Sequence, residues 1–225
     1  MARKAAAPPE FTAAERRVIA KCRTPAQVQA YLNRLPYNTE PPPGGATLRS
    51  FRGVVRHGTA HCMEAALTAA VILEQHGYPP LILSFESIDE LDHVLFVYRH
   101  RGRWGSVGRS RDPGLHGRKP VFRSARALAV SYVEPYIDYH GRVTGYTVVD
   151  LRALMGDYDW RLSEKNVWKA ERALLDAPHT PIKSSDARFD RLRRKYVDFR
   201  KQNGGRKPLY YRNRDRWSEL PQGNW

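Results

Sequence analysis

The stretch from Gly58 to Gly77 reads GTAHCMEAALTAAVILEQHG and carries most of the information about the fold. Its Ala, Leu and Glu content, closed by Gly77, predicts a helix over residues 61–76. Small or apolar side chains lie on nearly every face of this helix, so we expect it to be buried between other layers. Cys62 falls within its first turn.

The spacing of apolar residues changes after this helix and becomes typical of strands. Strands are predicted over residues 80–85, 93–99, 103–107 and 143–149, with a tight turn at Arg101-Gly102. Further helices are predicted over residues 10–21, 25–35, 49–57, 123–132, 163–176 and 186–202. Strands that follow one another through short turns pair in antiparallel fashion. The fold class is therefore α+β, with a buried helix on an antiparallel sheet and extra helices towards the C-terminus.

Length and charge predict the organisation of the chain. Its 225 residues, 41% of them hydrophobic, are enough to bury one sizeable core. The net charge is +15, of which residues 183–225 carry +8, and this excess of cations is compatible with a polyanionic partner. We predict an α+β domain over residues 1–182. A basic helix and tail over residues 183–225 would pack on the core, with Trp217 and Trp225 as anchors, or extend from it.

The cysteine count and the apolar runs exclude several classes. Two cysteines exclude a disulfide scaffold and a Cys-rich zinc module. No apolar run reaches the roughly 18 residues that a membrane span needs, so we expect a soluble, cytoplasmic protein without a membrane partner. A metal site built from His57, His61 and Cys62 is not favoured, because Gly58 interrupts the helix that would align them. No cofactor is predicted.

Cys62 and His93 are the candidate catalytic pair. A helix N-terminus presents unpaired N–H groups and a partial positive charge, and both favour a thiolate. His93 begins an apolar strand that can lie against the start of the buried helix, where an imidazole would serve as the general base. The alternatives are a small core cysteine and a histidine with a purely structural role.

The order of these features resembles the transglutaminase-like superfamily of the bacterial type. The resemblance covers residues 55–112 and is carried by GTAHC at 58–62, the Ala-rich helix, GYP at 77–79, DHVLFV at 92–97 and GRW at 102–104. It implies a papain-like fold and acyl transfer by a Cys-His-Asp triad. Cys62 would be the nucleophile and His93 the base.

The third member of the triad is where this chain departs from the family. An Asp usually follows the Trp by three or four residues, and Val107 and Gly108 occupy those positions here. We assign Asp112, the nearest downstream acid, to this role. Ser106 and Ser110 are polar alternatives, and a dyad without a third member would stabilise the imidazolium less.

The oxyanion of an acyl-transfer reaction also needs hydrogen-bond donors. The main-chain N–H of Cys62 at the helix N-terminus is the predicted first donor. His61 and Asn38 are candidates for the second, although each is also readily explained as a structural residue.

Two functional hypotheses follow. The first is a cysteine-dependent acyl-transfer enzyme, an amide or thioester hydrolase or transferase, acting on a peptide or other acyl substrate. Hydrolysis is favoured, because transamidation needs an amine site from which water is excluded. The alternative is a catalytically inactive transglutaminase-like fold that acts as a basic nucleic-acid-binding or scaffold protein. Basic and aromatic residues alternate over 186–217, a composition that suits phosphate contacts and base stacking.

Overall fold

The computed structural model describes residues 11–40, 45–88, 93–137 and 141–206. The helices are α1 (Ala13–Lys21), α2 (Pro25–Arg34), α3 (Phe51–His57), α4 (Cys62–Glu74), α5 (Ala125–Tyr136), α6 (Leu151–Met155), α7 (Trp168–Leu175) and α8 (Asp186–Gln202). The strands are β1 (Leu81–Ser87), β2 (Val94–His100), β3 (Arg103–Val107), β4 (Arg118–Phe122), β5 (Val143–Asp150) and β6 (Thr180–Pro181). The α+β class is confirmed.

The described strands form one six-stranded sheet in the order β4-β3-β2-β1-β5-β6, and every neighbouring pair is antiparallel. The turn between β2 and β3 places Arg101 at φ 49° and Gly102 at φ 74°. Positive φ at both central residues gives the turn the twist that a two-residue hairpin needs. The hairpin predicted from Arg101-Gly102 is therefore confirmed.

Helix α4 is the central element, as its sequence predicts. Every residue from Met63 to Glu74 is buried. The helix packs on β1 and β2 on one side and on α2 and α3 on the other. Because α4 is covered on both sides, it needs small residues where other elements approach closely, and this explains its alanines. At its C-terminal end, the buried carboxylate of Glu74 pairs with Arg152 and Arg161 at 2.7 Å each.

The two faces of the sheet carry separate cores. Ile82 and Phe96 face the core that contains α4, whereas Leu83 and Phe85 face the core that contains α5. This division follows the alternation of side chains along a strand. The sheet therefore lies between two helical layers, and its α4 side holds the Cys62 end of the helix.

The prediction of a helix capped by Ser163 is wrong. Helix α7 begins at Trp168, and the segment before it is irregular, with bends at residues 161–162 and 164–165. Its polar groups bond to the loop before α3 instead: Leu48 N–H donates to Asn166 Oδ1 at 3.1 Å, and Val167 N–H donates to the Leu48 carbonyl at 2.7 Å. These long-range bonds hold residues 163–167 out of the helix. Strands β4 and β6 and helix α6 were not predicted.

The C-terminal helix α8 matches its prediction. The sheet continues to β6, and Ile182 lies in the core on the α5 side. In α8, Tyr196 is buried, and Lys195 lies 3.6 Å from Glu134 of α5. Trp217 and Trp225, the predicted anchors of the tail, lie outside the described residues. Within the described ranges, no helix is long and apolar enough to cross a membrane.

Candidate active site

The N-terminus of α4 places Cys62 at the first helical position. His61 is the N-cap, and when its ring is neutral its Nδ1 accepts a hydrogen bond from the Met63 N–H at 3.3 Å. Glu64 completes a capping box, because its Oε2 accepts from the His61 N–H at 3.0 Å. The local sequence His-Cys-Met-Glu thus starts the helix at the cysteine, with the thiol beside unpaired N–H groups.

The Cys62 side chain lies between two imidazoles. It lies close enough to both His61 and His93 to interact with each of them. Burial raises the pKa of the Cys62 thiol, but the hydrogen bonds to His61 and His93 and their charges outweigh burial and lower the pKa to about 6. The thiolate is therefore the main form at neutral pH, and the thiolate is the nucleophilic form of cysteine.

His61 is the cationic partner of this thiolate. Burial lowers the pKa of His61, but its hydrogen bond to Cys62 and the charge of Glu64 raise it to about 9. The His61 Nε2 lies 2.9 Å from the carbonyl oxygen of Thr47, which accepts its proton. The sequence suggested His61 as a candidate oxyanion donor, as a structural residue, or as part of a metal site that was not favoured. The structure gives it a direct contact with the sulfur.

His93 is buried and held in one orientation. Its Nε2–H donates to the carbonyl oxygen of Leu115 at 2.7 Å. This bond leaves Nδ1 as the nitrogen available to Cys62. The ring also stacks parallel to Phe85, with centroids 6.4 Å apart. The tautomer and the ring plane are therefore set by a main-chain oxygen and an aromatic neighbour.

The turn that presents the Leu115 carbonyl is fixed by a buried cation. Arg118 is 0% exposed, and its guanidinium donates to the carbonyls of His116 at 2.6 Å and Gly114 at 2.5 Å. It stacks on the ring of Tyr132 at 4.0 Å, and the Tyr132 hydroxyl also donates to the His116 carbonyl at 2.9 Å. None of these contacts was predicted.

The candidates for the third triad position lie in different places. Asp112 and Ser110 line the same cavity as His93, and the Asp112 N–H donates to Ser110 Oγ at 3.1 Å. Ser106 is 0% exposed; its hydroxyl bonds to the Tyr132 hydroxyl at 2.6 Å and accepts from the Arg118 N–H at 3.0 Å. The position that a carboxylate would take at Nε2 of His93 holds a main-chain carbonyl.

Of the two candidates for a second oxyanion donor, Asn38 has a structural role. Its side-chain amide donates to Thr47 Oγ1 at 2.8 Å and to Glu64 Oε2 at 3.1 Å. Both N–H bonds of the amide are therefore used away from the sulfur. The carboxylate of Glu64 is 0% exposed and gathers these donors behind the start of α4.

Tyr37 lies next to the predicted oxyanion donor, the main-chain N–H of Cys62. The Tyr37 hydroxyl lies beside the main chain of Cys62 and interacts with it. Burial and the neighbouring Cys62 raise the pKa of Tyr37 to about 12, so the hydroxyl keeps its proton at neutral pH. Arg111 lies over the other part of this ring at 5.9 Å. No sequence signal marked Tyr37, because its contact with Cys62 depends on a bridge between Tyr37 and Ala60.

These groups line a cavity of about 620 Å³. Its volume is in the range of sites for small ligands or short peptide segments. Cys62, His61 and His93 lie on one side, and the outer face of α7 forms another wall through Trp168, Glu171 and Leu175. Among the described residues, no group of three or more His, Cys, Asp or Glu side chains is arranged to hold a metal ion.

Comparison with known proteins gives little beyond this geometry. No family model and no curated protein matches the chain. Calcium-bound LapG from Legionella pneumophila has 14% sequence identity and a TM-score of 0.34, covering 60% of this chain and 72% of LapG. Another structure of LapG from the same organism has 12% identity and a TM-score of 0.36, covering 82% and 92%. At these TM-scores neither similarity carries an argument about the chemistry.

Proposed function

We propose that the protein is a cysteine-dependent acyl-transfer enzyme of transglutaminase-like type, with Cys62 as nucleophile and His93 as general base. The observation that carries this proposal is the placement of the Cys62 thiol, at a helix N-terminus, beside two imidazoles, and facing a cavity. A structural cysteine needs none of these features, since it acts as a small apolar side chain.

In the acylation step, the Cys62 thiolate, whose proton has already passed to His93, attacks the carbonyl carbon of an amide or thioester. A carbon–sulfur bond forms, and the carbonyl electrons move to the oxygen. When the tetrahedral intermediate collapses, the bond to the leaving amine or thiol breaks and His93 returns the proton to that group. His61 stabilises the thiolate from the other side, since it carries a positive charge below about pH 9.

In the second step, water releases the acyl group. His93 takes a proton from the water while its oxygen attacks the thioester, the carbon–sulfur bond breaks, and the proton returns to Cys62. The products are a carboxylic acid and the free enzyme. Hydrolysis is favoured over transfer to an amine, because the cavity is open at its outer wall, where Trp168 and Leu175 are 42% and 58% exposed.

Three groups complete the proposed machinery. The Leu115 carbonyl orients His93, and Asp112, on the same cavity wall, is the proposed electrostatic partner of the imidazolium. The Cys62 N–H is the proposed oxyanion donor. The Tyr37 hydroxyl lies beside this part of the main chain, so an incoming acyl oxygen would compete with it for the N–H.

The test uses a model acyl donor, S-phenyl thioacetate, and follows thiophenol release together with acetylation of the Cys62 peptide by mass spectrometry. Turnover is expected for the natural chain and for Cys22→Ala, the matched control. Cys62→Ala should abolish it, and His93→Gln should slow it by about 100- to 10,000-fold. Turnover that survives in Cys62→Ala would refute the proposal.

Polyanion binding is a second candidate function, favoured by the surface of α8. Most of its cations are exposed, namely Arg191, Arg193, Arg194, Lys195 and Lys201. An exposed row of cations on a long helix is suited to phosphate contacts. This binding would not require the cavity or Cys62, so the two functions are separable by substitution.

A further inference from the structure

The outer face of α7 is unusually apolar for exposed surface. In the described part of the chain, four large apolar side chains are exposed: Ile88, Val121, Trp168 and Leu175. Two of them, Trp168 and Leu175, belong to α7 and line the cavity that contains Cys62. Their spacing of seven residues places them on one face of the helix. Exposed apolar groups on the wall of a pocket indicate contact with an apolar part of a ligand.

Glu171 adds a charge to the same face. It lies three residues after Trp168 and four before Leu175, is exposed, and lines the cavity. A ligand that packs on Trp168 and Leu175 therefore also lies next to the carboxylate of Glu171. The cations of this helix point elsewhere, since Lys169 lies 5.4 Å from the ring of Tyr158 and neither it nor Arg172 is among the described lining residues.

The rest of the cavity is also negatively charged, like Glu171. Among its described lining residues, Glu40, Asp112 and Glu171 are acids, whereas Arg111 is the one guanidinium. His61 is cationic, but it is paired with the Cys62 thiolate. This excess of carboxylates occurs in a chain whose net charge is +15. The cavity is thus complementary to a cationic ligand, although the chain as a whole is not.

We propose that the α7 wall is a substrate subsite for a peptide segment in which an apolar side chain is adjacent to Lys or Arg. The apolar side chain packs on Trp168 and Leu175, and the cation pairs with Glu171. This inference rests on the proposed acyl-transfer function, and names the class of acyl donor that Cys62 would attack.

The test compares four acetylated and amidated dipeptides that combine phenylalanine or serine with arginine or glutamate. Each is titrated against the rate at which iodoacetamide alkylates Cys62, so that no turnover is needed. The phenylalanine–arginine peptide should protect at a concentration at least about tenfold below that of the serine–glutamate peptide. Equal protection by all four peptides would overturn the proposal.

Substitutions on the wall separate its two parts. Trp168→Ala should remove the preference for phenylalanine over serine. Glu171→Gln should remove the preference for arginine over glutamate. The matched controls are Val121→Ala, exposed on β4, and Asp176→Asn, exposed just beyond α7; both should keep the two preferences. Preferences that persist in both wall variants would place the peptide elsewhere and refute the subsite.

A second readout distinguishes failure of the subsite from failure of the proposed function. In Cys62→Ala, binding of the same peptides is followed by tryptophan fluorescence, with Trp168→Phe to identify the responding residue. If Cys62 resists alkylation but the peptides bind with the expected order, the acyl-transfer function fails and the subsite stands. If Cys62 is alkylated rapidly and no order of peptides appears, the subsite fails alone.

Discussion

The Nε2–H of His93 donates to the main-chain oxygen of Leu115 at 2.7 Å, where a triad would place a carboxylate. A carbonyl oxygen fixes the ring and its tautomer, but it carries no full charge to stabilise the imidazolium. In the proposed mechanism, Asp112 on the same cavity wall supplies part of that stabilisation. The precision of the site therefore depends on the turn at residues 113–117 and on the groups that hold it.

The first prediction concerns the reactivity of Cys62. Its alkylation by iodoacetamide should rise with pH around a midpoint of about 6, because the thiol pKa is lowered to that value by His61 and His93 against the effect of burial. Cys22 is the internal control, since burial raises the pKa of its thiol above 9.0. His61→Gln should move the midpoint of Cys62 upwards. Equal, slow labelling of both cysteines at about pH 7 would contradict this account.

The second prediction concerns Arg118. Arg118→Met keeps much of the side-chain volume but leaves the carbonyls of Gly114 and His116 without their charged donor, so we expect a loss of about 2–3 kcal/mol in the free energy of unfolding. Urea denaturation measures it, with exposed Arg103→Met as the control. Cys62 alkylation in the folded variant should also slow, because the Leu115 carbonyl no longer holds His93. An unchanged free energy of unfolding would show that the turn at residues 113–117 does not depend on Arg118.

The third prediction concerns His116, which is 0% exposed. Burial lowers its pKa from 6.5 to about 3, so below pH 6.5 the unfolded chain binds a proton that the folded chain does not. Stability is therefore lost as pH falls from 6.5 towards 3, by up to about 1.4 kcal/mol per pH unit. Urea denaturation at several pH values should show a weaker acid dependence in His116→Gln. The same acid dependence in both proteins would exclude His116 as its cause.

The fourth prediction separates packing from chemistry in α4. Leu73→Ala should lower the free energy of unfolding by about 2–5 kcal/mol, because Leu73 is 0% exposed between the sheet and the outer helices. Cys62→Ala should leave the melting temperature nearly unchanged, since Cys62 is partly exposed at the cavity. Thermal melts of both variants decide the matter. A large loss of stability in Cys62→Ala, without a similar loss in Leu73→Ala, would indicate that Cys62 is a core residue.

The fifth prediction concerns polyanion binding. If α8 contacts phosphates, the affinity for a generic oligonucleotide should fall with log salt concentration, and each lost contact should reduce the slope by about 0.9. The double variant Arg193→Gln, Arg194→Gln should show this reduction. The control, Arg17→Gln with Arg23→Gln, changes the net charge equally at the opposite end of the chain. Equal effects of both variants would indicate general charge attraction rather than a site on α8.

Local sequence determined the elements that depend on neighbouring residues. The run of small and apolar residues from Cys62 to Leu73 predicted a buried helix, and Arg101-Gly102 predicted the hairpin. In both cases hydrogen bonds and packing repeat along the chain within a few residues, so spacing and composition are sufficient. The nomination of Cys62 and His93 used the same information together with the resemblance, and their proximity is consistent with it.

Tertiary structure decided the features that join distant segments. Ser163 was a plausible N-cap, but bonds from Asn166 and Val167 to Leu48, more than a hundred residues away, displaced the helix start to Trp168. The contact of Tyr37 with the main chain of Cys62 likewise joins separate elements.

The group that accepts the hydrogen bond from His93 is the clearest example of a feature that the sequence alone does not predict. Sequence reasoning looked for a carboxylate or hydroxyl side chain, but the Leu115 acceptor is a main-chain carbonyl. Every residue has such an oxygen, so nothing in the side-chain sequence marks the one that is used. Its direction is set by the backbone of the turn, which Arg118 and Tyr132 fix from elements that meet only when the chain is folded.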